Sequence, residues 1–255
     1  MPQLNAWFLL KRQGDKPHVI AHRGASGYAP ENTLAAYQKA LDLGIVAVET
    51  DVHQTQDGVI VTLHDDTLDR TTSGRGAVAE RLWPMIQLLD AGSWYGSQFS
   101  SERVPSLEAY LSCLDGRAVP VIEIKGGVDV ERRLAERFQG RPGGAFFFSF
   151  DADKIAALKA ECADCPCLYL VPWTEEVVPC DAKHVEAAVD MRMEAIGVDW
   201  QRVSPEVVAL AHQRGLSVFV YTVNTEVALQ HCLDCGVDAV ISDVPDQMLH
   251  ALDGV

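Results

Sequence analysis

Two short stretches space their ionisable residues so that a β-strand would aim them into one site. In Ala47-Val48-Glu49-Thr50-Asp51-Val52 the two acids are separated by one residue, and strand alternation puts both on the same face. Val121-Ile122-Glu123-Ile124-Lys125 repeats the device with an acid and a base. Charged groups set among Val and Ile are expensive to desolvate unless they are paired. Three convergent carboxylates repel one another, so they take up protons or bind a cation. Glu49, Asp51 and Glu123 form an all-oxygen set, which suits one hard divalent ion, Mg²⁺ or Ca²⁺, rather than zinc. The competing reading is a buried network in which these acids only pair with strand-end Arg or Lys.

His22 and Arg23 stand where a short apolar run meets Gly24-Ala25-Ser26-Gly27, and Arg23 offers a fixed fork for a phosphate or carboxylate. His64 closes the run Val59–Leu63 and precedes Asp65 and Asp66. Alone, each histidine reads as a turn cap or a solvated side chain. Two of them around an acidic cluster match what splitting a phosphodiester requires, one group to take a proton and another to give one. Glu49, Asp51 and Glu123 bring three negative charges against four positive ones from a divalent ion, Arg23 and Lys125. With neutral histidines the surplus of one positive charge matches the single charge of a diester.

The elements that must hold these residues alternate. Strand-like runs recur at His18–Ala21, Val46–Val52, Val119–Lys125, Ala145–Phe150, Cys167–Val171, Ala195–Asp199, Ser217–Val223 and Ala239–Ser242. Stretches with helical spacing lie between most of them, at Thr33–Leu43, Val130–Phe138, Lys154–Cys162, Pro205–Arg214 and Glu226–Cys235. Gly44, Gly215 and Gly236 mark helix ends, while Asn32 and Ser204 fit N-caps. This order predicts parallel strands with crossover helices, and eight units in a chain of 255 residues favour a closed α/β (β/α)₈ TIM-like barrel over an open doubly wound sheet. The whole of 1–255 reads as one barrel domain, with 1–16 a lead-in segment. After the second strand the rhythm breaks. An extra strand, Val59–His64, leads into a small insertion at about 65–104 that includes the loop DDTLDRTTSGRGAV and the aromatic patch at Trp94 and Tyr95. Long insertions of this kind serve more often as functional lids or caps than as idle loops.

Composition narrows the partners. A formal charge of -15 argues against binding nucleic-acid backbones or anionic lipid surfaces. No stretch reaches the roughly 18 apolar residues of a membrane-spanning helix, and Ala6–Leu10 is not patterned as a secretory signal. Seven cysteines, an odd count, then favour reduced thiols and a cytoplasmic location, which leans the metal toward Mg²⁺. The spacing of Cys162, Cys165 and Cys167, and of Cys232 and Cys235, matches a zinc framework only loosely, and buried small hydrophobes are the better reading.

The chain resembles the glycerophosphodiester phosphodiesterase family. The residues that carry the likeness are IAHRGASGYAPENTLAAYQKALDLG at Ile20–Gly44, VETDVHQTQDGVIVTLHD at Val48–Asp65, the LDRTTSGRG loop, PSLEAYL at Pro105–Leu111, IEIK at Ile122–Lys125 and GVDAVISDVPD near the end. The resemblance implies a barrel with a subdomain after the second strand, metal ligation by Glu49, Asp51 and Glu123, acid and base roles for His22 and His64, and phosphate contacts from Arg23 and Lys125. It further implies hydrolysis of a small glycerophosphodiester to sn-glycerol 3-phosphate and an alcohol. Two positions depart from the pattern. Tyr221, a candidate substrate contact, stands where relatives often have tryptophan, and Trp83-Pro84-Met85 lacks their usual acidic helix start. Competing functions are a lysophospholipase D or sphingomyelinase D on the same barrel, with Trp94, Tyr95 and Phe99 as an apolar rim, and a non-catalytic phospho-ligand binding protein.

Overall fold

A computed structural model describes residues 4–12, 14, 16–173 and 177–254. Its strands are β1 (His18–Ala21), β2 (Ala47–Gln54), β3 (Ile60–Thr62), β4 (Val119–Gly126), β5 (Phe146–Ser149), β6 (Cys167–Leu170), β7 (Ala195–Asp199), β8 (Ser217–Tyr221) and β9 (Ala239–Ser242). Its helices are α1 (Leu34–Asp42), α2 (Trp83–Ile86), α3 (Leu107–Leu114), α4 (Val130–Phe138), α5 (Ala152–Glu161), α6 (Ala182–Asp190), α7 (Pro205–Gln213), α8 (Glu226–Cys235) and α9 (Pro245–Asp253). β1 pairs in parallel with both β2 and β9, which closes eight parallel strands into the expected TIM barrel. β3 stands outside that cycle and runs antiparallel along the far half of β2, from Val52 opposite Thr62 to Gln54 opposite Ile60.

Alternation along the strands divides the apolar residues. Ile20, Val121, Phe146, Phe148, Leu168, Leu170, Phe219 and Ile241 fill the barrel, while Val19, Val48, Val52, Ile122 and Ile124 pack beneath the surrounding helices. The filling is tight: a Cβ at Gly197 would lie 2.5 Å from Leu170 and 2.7 Å from Leu168. The lead-in segment joins this interior. Its 3₁₀ turn Ala6–Leu10 buries Ala6 and Leu9 completely against the barrel filling, and Ala6 N–H donates to the Gly143 carbonyl at 2.8 Å. One end of the barrel is thereby plugged, and polar side chains collect at the other.

Helix boundaries follow local chemistry. Ser204 caps α7 ahead of Pro205, as expected, and Gly44, Gly215 and Gly236 all take positive φ. At α1 the cap is Thr33, whose hydroxyl accepts from Ala36 N–H, rather than Asn32. Asn32 itself is left-handed, with φ 56, and its side chain is committed elsewhere. The insertion has a small core of its own, formed by Val61, Leu63, Leu68, Val78, Ile86, Ala91 and Val104. Its helix α2 opens without a side-chain cap of its own, and Asp57 supplies the missing acid by accepting from Trp83 N–H at 2.9 Å. The cysteines are free, and all but Cys113 are buried. Among the described residues, the three carboxylates are the one group that could hold a metal ion.

Candidate active site

Parallel pairing of β2 with β4 sets Asp51 beside Glu123, and Glu49 follows one step below on the same face. The residues Glu49, Asp51 and Glu123 are 1%, 0% and 6% exposed, and one side-chain oxygen from each lies within 4.8 Å of the others. Lys125 reaches back along β4, with Nζ 2.6 Å from Glu123 Oε1 and 3.3 Å from Asp51 Oδ1. Burial, and then repulsion from Asp51, raises Glu49 far above the usual carboxylate range and pushes Glu123 up to about 8. Burial acts on Asp51 as well, but Lys125, Arg23 and His64 outweigh it and hold Asp51 well below its ordinary value. Glu49 Oε1, Asp51 Oδ1 and Glu123 Oε1 are buried and accept no well-directed hydrogen bond. Three buried oxygens, two of them met only by the Lys125 ammonium, with neither thiol nor imidazole among them, fit a hard divalent ion.

Arg23 adopts φ 54, which turns its N–H onto Glu49 Oε2 at 2.6 Å. Its Nη1 donates to Glu31 Oε1 at 2.7 Å, and Nε lies 3.3 Å from Asp51 Oδ2. The bend needs Gly24 beside it, because that residue has φ 81 and a Cβ there would meet Ala36 at 2.6 to 2.8 Å. Asn32 serves Asp51. Its Nδ2 donates to Asp51 Oδ2 at 2.8 Å, and its Oδ1 accepts from Thr50 Oγ1 and from the Asp51 amide. Tyr37, from α1, closes the network on Thr50 at 2.6 Å.

Each histidine is held by a carboxylate. Asp243 is kept ionised: burial would raise it, but bonds from His22, Ser26 and Asn224 pull it far below its ordinary value. It therefore only accepts, so His22 Nδ1–H donates to Asp243 Oδ1 at 2.6 Å and Nε2 is left for other work. Ser26 and Asn224 bind the same carboxylate at 2.8 and 2.6 Å. His64 Nδ1 pairs in the same way with Asp65 Oδ1 at 2.8 Å. Burial lowers the His64 pKa; Asp51 opposes the shift, and Lys125 and Arg23 reinforce it.

His22, Arg23, Glu49, His64, Glu123 and Lys125 line a pocket of about 380 Å³. Phe148, Phe150, Leu170, Trp173, Tyr221 and Ile241 add apolar surface to the same lining, and Asp51, fully buried, does not reach it. The Tyr221 ring meets Phe150 edge-on at 5.8 Å, and Lys125 Nζ sits 5.5 Å above the Phe150 ring. All eight residues singled out from the sequence thus gather at one end of the barrel. No described residue of 65–104 lines the pocket. Trp94, Tyr95 and Phe99, the rim that the competing lipid reading would use, pack edge to face on one another at 5.6 Å and do not line the pocket, whose apolar residues include Phe150, Trp173 and Tyr221. A larger groove of about 650 Å³ lies at the plugged end, among Asn5, Glu108, Arg137 and Arg141, away from these groups. Sequence reasoning missed Asp243, Asn224, Glu31, Arg70 and the role of Asn32. One available signal was that Asp243 follows β9 just as His22 follows the adjacent β1.

A closed barrel whose carboxylates, cations and histidines share one pocket defines a TIM-barrel hydrolase of the phosphodiesterase class. The family model described as "Glycerophosphoryl diester phosphodiesterase family" matches residues 22–247. The chain is 32% identical over 250 residues to a glycerophosphodiester phosphodiesterase of Caldanaerobacter subterraneus subsp. tengcongensis, covering 92% of this chain and 97% of that one. It is 30% identical over 258 residues to a glycerophosphodiester phosphodiesterase of Bacillus subtilis, with 91% and 85% covered. Among solved structures, an Oleispira antarctica phosphodiesterase in complex with the product sn-glycerol-3-phosphate superposes with a TM-score of 0.84 at 30% identity, covering 93% of this chain and 97% of the other. The chain belongs to the glycerophosphoryl diester phosphodiesterase family. It is an enzyme of that class, and no described helix is long and apolar enough to cross a membrane.

Proposed function

We propose that this enzyme hydrolyses small glycerophosphodiesters, such as glycerophosphocholine and glycerophosphoethanolamine, to sn-glycerol 3-phosphate and the free alcohol, using one divalent ion and two histidines. The observation that carries the reading is that His22 and His64 enter one pocket, each with Nδ1 tied to a carboxylate, beside Arg23, Lys125 and the three acids. Glu49, Asp51 and Glu123 would hold the ion, Mg²⁺ by preference and Ca²⁺ as the alternative. When bound, it would offset the charge of the acids and stabilise negative charge developing on the phosphoryl oxygens.

His22, with Nε2 free and Asp243 behind it, takes the proton of the glycerol 2-hydroxyl. That oxygen is tethered to the same phosphorus, so its attack gains a high effective molarity. His64 gives a proton to the departing alcohol oxygen as the P–O bond breaks. The two roles reverse when water opens the cyclic phosphate. Arg23 and Lys125 hold the phosphoryl oxygens, and Tyr221 with Phe150 packs against the carbon skeleton. Seven free cysteines suit the reducing cytoplasm, where we place the enzyme.

The test is release of glycerol 3-phosphate from glycerophosphocholine with Mg²⁺ or Ca²⁺, repeated after chelation and with His22→Ala and Glu49→Ala. Activity that needs the ion and is lost in both variants is expected; full activity after chelation would overturn the metal site. The apolar wall of Phe150, Leu170, Trp173 and Tyr221 favours one second reading, a lysophospholipase D, so lysophosphatidylcholine belongs in the same assay. Product binding without turnover would mark a binding protein instead.

A further inference from the structure

Arg70 stands six residues beyond His64, in the insertion. It does not line the pocket, yet its guanidinium makes four hydrogen bonds of 2.8 Å to two carboxylates that do concern it. Nε and Nη2 donate to the two oxygens of Asp65, and Nη1 and Nη2 to the two oxygens of Glu31. Each acceptor is also engaged with the site: Asp65 Oδ1 takes His64 Nδ1 at 2.8 Å, and Glu31 Oε1 takes Arg23 Nη1 at 2.7 Å. One planar fork therefore fixes both the carboxylate that orients the proposed acid and the carboxylate that orients the proposed phosphate ligand. Such doubly bidentate pairing sets angle as well as distance, which a lysine cannot reproduce.

We propose that Arg70 is a positioning residue for the diesterase reaction, acting through Asp65 on His64 and through Glu31 on Arg23. The inference rests on the assignment of His64 as proton donor and Arg23 as phosphate ligand. Arg70 is 45% exposed against 14% for Glu31 and 28% for Asp65, so it covers the outer oxygens of two more buried acids. Without it, Glu31 stands beside Arg23 with its charge less compensated and repels an incoming diester, while Asp65 loses the contact that fixes its rotamer. This is also how the insertion serves the site without entering the pocket, since Arg70 spans from the loop after β3 to the loop after β1.

The test uses two substrates with Arg70→Met and Arg70→Lys in the full-length enzyme. Choline leaves as an alkoxide that needs a proton, whereas p-nitrophenolate does not, so a glycerol p-nitrophenyl phosphodiester bypasses the acid. For Arg70→Met, kcat on glycerophosphocholine is expected to fall about 100-fold and KM to rise about tenfold, in line with the weight of acid catalysis and of outer-sphere orientation. On the nitrophenyl diester the single-turnover rate of nitrophenolate release, which precedes the step where His64 serves as base, falls less than about fivefold, while KM rises as before. Arg70→Lys, which keeps the charge and loses the fork, recovers most of KM and little of kcat. An equal fall in the single-turnover rate of alcohol release from both substrates in both variants, or a fall that tracks the loss of folded protein by thermal melting, would overturn the proposal. His64→Ala measured alongside separates the two layers. If it shows the leaving-group dependence and neither Arg70 variant does, only the role of Arg70 fails. If it shows none, the acid assignment fails and the Asp65 arm of the proposal with it.

Discussion

Replacing Asp243 by Asn probes the pair behind His22 while keeping size and shape. In the native site Oδ1 accepts from His22 Nδ1 and Ser26 Oγ, and Oδ2 accepts from Asn224 Nδ2. An amide has one oxygen for these two sides. With its oxygen toward His22 and Ser26, its NH₂ faces Asn224 Nδ2, donor against donor. Asn224 cannot simply turn over, because its Oδ1 already accepts from the Asp243 amide at 2.8 Å and from Ser242 Oγ at 3.1 Å. With the amide reversed, NH₂ faces His22 Nδ1 and selects the tautomer that carries its proton on Nε2, which cannot act as a base toward the 2-hydroxyl. Even the first arrangement loses the negative charge that stabilises the imidazolium. A hydrogen bond to a charged group contributes about 1.5–3 kcal/mol, which at about 1.4 kcal/mol per decade is roughly 10- to 150-fold in rate. The wrong tautomer extends the loss toward about 10⁴-fold. The assay is kcat for glycerophosphocholine hydrolysis at neutral pH, with metal-dependent thermal shift as a control, since Asp243 does not touch the carboxylate cluster. A variant that keeps kcat within about threefold of the parent would refute the reasoning.

Three further outcomes follow from the same geometry. Glu49 and Glu123 titrate above their unfolded values, so in metal-free protein their contribution to stability is full below the ordinary carboxylate range and is lost as pH rises, for Glu123 through about 8. A divalent ion replaces those protons, and the gap in melting temperature between metal-loaded and metal-free protein should widen from pH 6 to pH 9; a constant gap would contradict this. Asn32→Ala removes the 2.8 Å bond that orients Asp51 and should weaken metal binding about 10- to 100-fold by titration calorimetry, whereas unchanged affinity would show that Asp51 needs no such support. Leu9→Ala empties the fully buried plug at the far end of the barrel and should lower unfolding free energy by about 2–5 kcal/mol in urea, with kcat of the folded enzyme unaltered.

The barrel and most of its site were legible because they rest on short-range rules. Strand alternation has period two, so Glu49 with Asp51, and Glu123 with Lys125, shared a face before any fold was known. The eight strand runs and the glycines at helix ends were likewise local signals. What escaped were partners distant in sequence. Asp243 lies 221 residues from His22, and Arg70 lies 39 from Glu31. Asn32 misled for a related reason: an N-cap and a carboxylate ligand call for the same side chain, and local sequence could not choose between them. The aromatic rings of the insertion, a rim in the lipid reading alone, pack on one another and do not line the pocket.

By itself, the sequence determined which groups the chain would carry into one face of a barrel: three acids, a lysine, an arginine and two histidines. Tertiary structure decided what stands behind each of them. Closure of β1 against β9, with Ala21 opposite Ser242, brings Asp243 to His22, and docking of the insertion brings Arg70 to Asp65 and Glu31. Within the first set, Glu49 with Asp51 and Glu123 with Lys125 follow from the geometry of single extended strands. The second depends on chain closure, whose register is set by packing summed over the whole core and is written in no one segment.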